Sequence, residues 1–142
     1  MKLTRCKLGK VLELQRGYDL PSSQMEKGDI LVAGSNGVIG YHNEARSNHP
    51  CITVGRSGSV GKVHYYEQAT WAHNTALFVK DFKGNDPKYL YYFLKNLHLD
   101  KMFDKGSSVV PSLDRKVVHS LNVPCHKAVS YTHLRAHETT LH

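Results

Sequence analysis

Short β-rich segments follow one another through the middle of the chain and constrain its fold more than any other feature. Between residues 29 and 79, runs rich in Val, Ile, Thr, Tyr and Phe are separated by Gly, Asn, Ser and Pro. The runs read DILVA, VIGYH, CITVG, KVHYY and TALFV. Runs this short, with turn residues between them, predict a sheet of short strands joined by tight turns.

A short amphipathic helix is predicted before this region, over residues 8–17. Leu8, Val11 and Leu12 recur at the spacing that places side chains on one side of a helix. Gly17 is a typical helix stop.

A longer amphipathic helix is predicted after the sheet, over residues 87–103. Asp86 is a typical N-cap residue, and Pro87 suits the first helical position. The apolar residues that follow recur at i, i+3, i+4 and i+7, which is the pattern of one helix face. They are Leu90, Phe93, Leu94 and Leu97.

The C-terminal part predicts a loop at 105–111, a short helix from a cap at Ser112 through Val118, and a closing strand at 121–123. With 142 residues the chain fits one domain. The expected fold is α/β (α+β), a mixed and mostly short-stranded β-sheet with a long amphipathic helix.

Two glycine-rich segments share the pattern G-x-x-G-x-[IV]-G, each between predicted strands: residues 34–40 and 55–61. The second continues into Lys62, yet it does not match a nucleotide-binding P-loop. Gly55 lies one residue too far from Gly61, and Val63 stands where a hydroxyl should hold magnesium. Both loops are instead expected on one rim of the sheet, where backbone N–H groups and small side chains admit a phosphate backbone.

The charge balance favours a polyanionic partner. Nineteen Lys and Arg residues stand against twelve Asp and Glu, a formal charge of +7. DNA, RNA, the ribosome and an acidic membrane surface would all be attracted. The alternative is that the charges form a solvated face and the glycines only turn hairpins. No run approaches the length of a membrane span and no signal peptide begins the chain, so a cytoplasmic protein is expected.

No convincing active site is found, and neither a cofactor nor a metal is predicted. A serine nucleophile pattern G-x-S-x-G is matched only loosely around Ser57. The carboxylates of the β-rich half lack the spacing of a metal-dependent nuclease. The cysteines show no C-x-x-C pairing, which predicts reduced, structural thiols. They are Cys6, Cys51 and Cys125.

Six segments in order carry a family likeness: LGKVLELQRGYDLP, GDILVAGSNGVIGYH, ITVGRSGSVGKV, WAHNTALFV, YLYYFLKNL and KGSSVVPSLDRKVVHSLNVP. Over residues 5–126 the chain resembles a target recognition domain of the specificity subunit of type I restriction-modification systems. The resemblance implies sequence-specific binding of double-stranded DNA without catalysis, each of two such domains reading one half of a bipartite target. It implies as partners the modification (methyltransferase) subunits, the restriction subunit and a second recognition domain.

The C-terminal segment 128–142, AVSYTHLRAHETTLH, resembles the translation of a sequencing-library adapter. The recognition domain is therefore predicted to span residues 1–127, followed by a non-native tail. The family's proline-rich closing stretch and its E-Q pair are missing before the tail. The coiled-coil arm and second domain are expected to be absent, so the chain is interpreted as a fragment.

The residues expected to contact DNA are polar or basic and lie in predicted loops. Those expected near bases are Ser35, Asn36, Arg56, Ser57, Ser59 and Asn74. Those expected near phosphates are Lys62, Lys105, Ser107, Ser108 and Arg115, with Arg16 as a further positive charge.

Other functions remain open at this stage. Tyr41, Tyr65, Tyr66 and Trp71 could stack bases in an RNA or single-strand binder, or they could fill the core. A non-specific nucleic-acid-binding protein, a small enzyme with an unrecognised site and a partner-binding scaffold are the remaining alternatives.

Overall fold

Strands dominate the part of the chain that a computed structural model describes, which is residues 4–47, 50–103 and 112–125. The strands are β1 Thr4–Lys7, β2 Glu13–Arg16, β3 Ile30–Gly34, β4 Gly37–His42, β5 Cys51–Gly55, β6 Val63–Tyr66, β7 Thr70–Ala72, β8 Ala76–Asp81 and β9 Asn122–Cys125. The helices are α1 Pro87–Asn96, α2 Leu99–Met102 and α3 Arg115–His119, with 3-10 helices at Leu8–Lys10 and Ser22–Gln24. This mixed α+β content confirms the expected fold class.

The strands form three sheets rather than one. The largest has the order β2-β8-β5-β6 and is antiparallel throughout. The second has the order β4-β3-β7, in which β3 and β7 run parallel. Strands β1 and β9 form a separate antiparallel pair. Each strand predicted between residues 29 and 79 is present, and the short β7 is an additional one.

The main core joins the four-stranded sheet to the helices. Strand β5, in the interior of this sheet, is buried at all five of its residues, as expected for a strand covered on both faces. Helix α1 contributes the fully buried Leu90 and Leu94, and α3 contributes Val118. A smaller cluster around Val32 and Trp71 belongs to the three-stranded sheet.

The predicted helix over residues 8–17 is wrong. The segment forms one 3-10 turn and then enters strand β2. A single turn already buries Leu8, Val11 and Leu12, so no longer helix is needed to place these residues on one side. Beyond the turn, pairing with β8 provides the backbone hydrogen bonds and buries Leu14.

The predicted helix over residues 87–103 starts as expected but is interrupted. Asp86 caps α1, because its side chain accepts a hydrogen bond from the Tyr89 N–H at 3.1 Å, and Pro87 occupies the first position. The backbone of His98 then adopts a left-handed conformation with φ of 55°, which separates α1 from α2. The left-handed region is uncommon for a residue other than glycine, so sequence rules place no break here.

The C-terminal predictions are partly confirmed. The short helix α3 starts at Arg115, and its cap is Asp114 rather than Ser112, since the Asp114 carboxylate accepts a hydrogen bond from Lys116 N–H at 2.9 Å. The closing strand is β9, within residues 122–125. The predicted loop at 105–111 and the segment 128–142 lie outside the described residues.

The cysteines differ from the expectation of three reduced thiols. Cys6 on β1 and Cys125 on β9 are joined by a disulfide, with their Cα atoms 6.1 Å apart. The pairing of β1 with β9 brings these distant residues together, and no local spacing could have indicated it. Cys51 is free and buried, and burial raises the pKa of its thiol to about 11.

None of the helices in residues 4–47, 50–103 and 112–125 has the length and apolar character needed to cross a membrane.

Helix α3 is attached to the large sheet through His119. The ring Nε2 atom of His119 accepts a hydrogen bond from the Leu14 N–H at 2.8 Å, so this nitrogen must be unprotonated. Burial, together with the positive charge of Arg115, lowers the pKa of His119 below its ordinary value. The unfolded chain therefore binds this proton more readily than the folded protein.

We expect the stabilisation from His119 to be complete above the ordinary histidine pKa and to be lost as the pH falls toward the lowered folded-state value. Urea unfolding between about pH 7.5 and about pH 5 should show a falling free energy of unfolding. In the variant His119→Gln this fall should be smaller, because glutamine does not titrate. Equal pH dependence of the two proteins would contradict this role of His119.

Candidate nucleic-acid interface

Three loops meet at one end of the four-stranded sheet. At this end β5 finishes at Gly55, opposite Ala76, the first residue of β8. Loop 55–62 and loop 73–75 therefore leave the sheet together. The tip of the β3–β4 hairpin, residues 34–37, is the third loop. We call residues 34–37, 55–62 and 73–75 the rim.

The two glycine-rich loops lie against each other, as the sequence predicted. The Ser35 carbonyl oxygen is 2.9 Å from the position that a Cβ atom would take on Gly55, and the Ser35 hydroxyl is 3.3 Å from that position on Gly58. A Cβ atom on Gly55 would also lie 1.8 Å from the carbonyl oxygen of Ser59. Only glycine at position 55 permits this approach, because backbone atoms cannot give way as a flexible side chain can.

The main chain around Arg56 is bound on both sides. The carbonyl of Thr75 accepts hydrogen bonds from the N–H groups of Arg56 and Ser57, at 2.9 and 3.2 Å. The carbonyl of Arg56 in turn accepts from the Leu113 N–H at 2.7 Å. Loop 55–62 is thus fixed between loop 73–75 and the segment that leads into α3.

The side chain of Arg56 is also held in the rim. Its Nη1 atom donates to the Asn74 carbonyl oxygen at 3.2 Å, which uses one of the five N–H donors of the guanidinium group. The residue is half-buried. A planar donor group fixed in this way suits recognition of two acceptors at once more than a freely moving charge does.

The predicted DNA-contacting residues fall into three groups. Asn36 and Lys62 are exposed in the rim, and the other predicted residues within the rim are half-buried. The predicted residues within the rim are Ser35, Asn36, Arg56, Ser57, Ser59, Lys62 and Asn74.

Two predicted residues lie next to the rim, and the others are outside the described chain. Arg16 ends β2 opposite Leu77, at the same end of the sheet, and its guanidinium is 3.9 Å from the Asp19 carboxylate. Arg115 starts α3, two residues after the Leu113 that binds Arg56. The described residues do not include Lys105, Ser107 and Ser108.

The electrostatic environment of the rim is positive at strand β6. Burial lowers the pKa of His64, and the charges of Lys62 and Lys95 lower it further. The lowered pKa favours the neutral form of His64 near neutral pH. Sequence reasoning did not select Lys95, which reaches this region only because α1 packs against β6.

Sequence reasoning also missed Thr75. Its contribution is a main-chain carbonyl, a group that every residue carries, so no sequence signal could have identified it. The neighbouring His73 has its ring Nδ1 atom 2.9 Å from the Thr75 hydroxyl, within hydrogen-bonding distance.

The aromatic residues considered as a stacking platform do not share one exposed face. Trp71 is only 6% exposed and packs edge-on against Tyr18 at 6.3 Å between ring centroids. Tyr65 packs against Tyr91 of α1 at 5.6 Å. Tyr41 is the exposed member, on β4. This arrangement offers no row of rings for successive bases.

The described residues contain no group of three or more His, Cys, Asp or Glu side chains placed to hold a metal ion. The predicted contact residues within the rim supply amides, hydroxyls and positive charges.

Comparison with known families agrees with this geometry. The family model of the type I restriction modification DNA specificity domain matches residues 3–125. The chain belongs to this family. The family is the non-catalytic DNA recognition component of type I restriction-modification systems. None of the curated protein sequences matches the chain.

Solved structures share the fold at low sequence identity. The S subunit of a type I restriction-modification system from M. genitalium is 21% identical, with a TM-score of 0.76, over 91% of this chain and 36% of that one. The HsdS subunit from Thermoanaerobacter tengcongensis is 14% identical, with a TM-score of 0.65, over 95% of this chain and 36% of the HsdS chain. A chain from a structure of complex assembly and conformational transition of the type I R-M system is 13% identical, with a TM-score of 0.69. The match covers 98% of this chain and 38% of that one. The chain thus spans little more than a third of each.

Two glycines with similar positive φ differ in how closely the rest of the protein approaches them. Gly61 and Gly84 have φ of 84° and 80°. A Cβ atom on Gly61 would lie 2.4 Å from the backbone nitrogen of Asp100 in α2, whereas one on Gly84 would meet nothing within 4 Å.

We expect Gly84→Ala to lower the free energy of unfolding by about 1–2 kcal/mol, the cost of left-handed backbone for alanine. Gly61→Ala should lower it by at least ~2 kcal/mol more, because loop 55–62 must also separate from α2. Urea unfolding of both variants measures the difference. Equal losses would mean that the loop does not pack against α2.

Proposed function

We propose that this domain binds double-stranded DNA in a sequence-specific manner and recognises one half of a bipartite target. The observation that carries the proposal is the rim. Small polar side chains and Arg56 are presented there on loops whose main chain is fixed by the Thr75 and Leu113 hydrogen bonds. Membership in the DNA specificity family supports the same function.

The proposed division of roles follows the chemistry of the side chains. Arg56, Asn36 and Asn74 carry donors and acceptors that pair with base edges in the major groove, and the rim serines can pair with either base type. Lys62 is a point charge suited to phosphates. The other residues proposed near phosphates are Arg16, Lys105, Ser107, Ser108 and Arg115.

The proposed partners perform the chemistry that this domain lacks. Methyltransferase (modification) subunits would methylate the recognised DNA and the restriction subunit would cleave it, with a second recognition domain reading the other half-site. The match to a structure of type I R-M complex assembly supports partners of this kind. A cytoplasmic location follows from these roles. We propose residues 1–127 as the recognition domain, which the family match over residues 3–125 supports, and residues 128–142 as a non-native tail.

The deciding experiment selects DNA from a random pool. The full chain is incubated with randomised duplex DNA at two salt concentrations, with single-stranded DNA and RNA as competitors, and the retained duplexes are sequenced. We expect a short enriched motif. Salt-sensitive retention without a motif would indicate a merely basic surface, and preference for the competitors would favour a single-strand binder.

A pair of lysine substitutions, at Lys62 in the rim and at Lys80 outside it, tests whether the rim contacts phosphates. Lys62 lies in the rim, whereas Lys80 lies near the far end of β8, about 13 Å from Ala76 at the usual rise of a strand. We expect Lys62→Gln to weaken binding to all duplexes alike and to reduce the slope of log K against log salt by about one. Lys80→Gln should leave the slope unchanged. Similar slopes for both variants would remove Lys62 from the phosphate contacts.

Arg56 is tested by a substitution that keeps its charge. Arg56→Lys removes the planar pair of donors but not the positive charge. We expect discrimination at one base pair of the selected motif to fall by roughly 1–3 kcal/mol, while the salt slope stays the same. Affinities for duplexes mutated one position at a time measure this. A uniform loss of affinity at every position would place Arg56 on a phosphate instead.

A further inference from the structure

An exposed apolar side chain lies beside the rim, on strand β4. Ile39 of β4 is 52% exposed, yet its place is well defined. Its Cγ2 atom lies 2.8 Å from the position that a Cβ would take on Gly34, and the Thr75 hydroxyl lies 3.4 Å from that same position. Ile39 therefore rests over Gly34, beside the loop whose carbonyl holds Arg56.

Ile39 contributes little to the packing of the fold. It belongs to none of the buried apolar clusters of the described residues. Of the six large apolar side chains that are exposed in residues 4–47, 50–103 and 112–125, three lie on this one strand, namely Val38, Ile39 and Tyr41. Several exposed apolar side chains on one short strand are more typical of a binding surface than single exposed ones, which are common on any protein.

Gly34 determines where Ile39 sits. Any larger residue at this position would place a carbon against the isoleucine side chain and displace it from the rim. The glycine thus leaves room for the Ile39 side chain next to the turn at Ser35 and Asn36.

The major groove of DNA offers one apolar group that an exposed side chain such as Ile39 could contact. Base edges in the major groove present hydrogen-bond donors and acceptors, and the one apolar group among them is the 5-methyl group of thymine. Two-stranded β-ribbons are narrow enough to enter this groove. Strand β3 pairs with β7 only as far as Ala33, so beyond that point the β3–β4 hairpin is two-stranded, with the polar Ser35 and Asn36 at its tip and Ile39 behind them.

We propose that Ile39 contacts the 5-methyl group of a thymine in the recognised half-site and so determines specificity at that base pair. This inference rests on the proposed DNA-binding function. It adds an apolar contact to a set of residues that sequence reasoning chose only for polarity and charge. The polar neighbours position the duplex, while Ile39 distinguishes thymine from a pyrimidine without the methyl group.

The test replaces thymines of the selected motif by deoxyuridine, one at a time, which removes only the methyl group. For the wild-type full chain we expect one replacement to weaken binding by roughly fourfold, the effect of about one buried methyl group. With Ile39→Ala the same replacement should have no effect, because the apolar partner is gone. Ile39→Val, which keeps two methyl groups, should retain part of the discrimination.

Tyr92→Ala serves as the matched control. Tyr92 is 57% exposed and lies on α1 rather than on the hairpin, and its removal should leave the thymine-to-uracil ratio unchanged. An enriched motif without thymine, or a uracil effect that is the same in wild type and Ile39→Ala, would overturn the role of Ile39 while leaving the recognition function intact. Failure to enrich any motif would remove both.

Discussion

The carbonyl group of Thr75 is the point on which the candidate interface depends. By accepting hydrogen bonds from both Arg56 and Ser57, it joins the loop between β5 and β6 to the loop before β8. The Arg56 carbonyl continues the connection to Leu113 and so to helix α3. Because these bonds form within the protein, the loops are ordered before any ligand arrives. An interface that is ordered in advance loses less conformational entropy on binding.

The glycines of the rim serve this close packing. The segment GRSGSVGK looks at first like a phosphate-binding loop, yet its first glycine is required by the Ser59 carbonyl and its last by the backbone of α2. Gly34 has a corresponding role beneath Ile39. In each case the missing Cβ lets another group of the same protein approach. The repeated glycine pattern therefore reflects close packing of each loop against its neighbours, and in the proposed function the side chains between the glycines would contact DNA.

Local patterns predicted those parts of the fold that local forces determine. The strands between residues 29 and 79 and the Asp86 cap follow from turn residues, β-branched runs and capping chemistry. The prediction of a helix at 8–17 was wrong because one 3-10 turn is enough to bury the apolar residues at that spacing. After the turn, the chain forms strand β2, whose backbone pairs with β8 instead of continuing a helix. Strand β7 is only three residues long and exists through its parallel pairing with β3. The adjacency of the two glycine loops could be predicted from their matching pattern, whereas the roles of Thr75 and Ile39 require the folded arrangement.

Stability and recognition in this domain use different atoms. The bonds that hold the rim connect main-chain groups of Arg56, Ser57, Thr75 and Leu113, which almost any residue can supply. Side chains at positions such as Ser35 and Asn36 can therefore change with little effect on the frame that carries them, provided that the glycines remain. In the proposed function, a fold built in this way could present different sets of base-contacting groups on one scaffold.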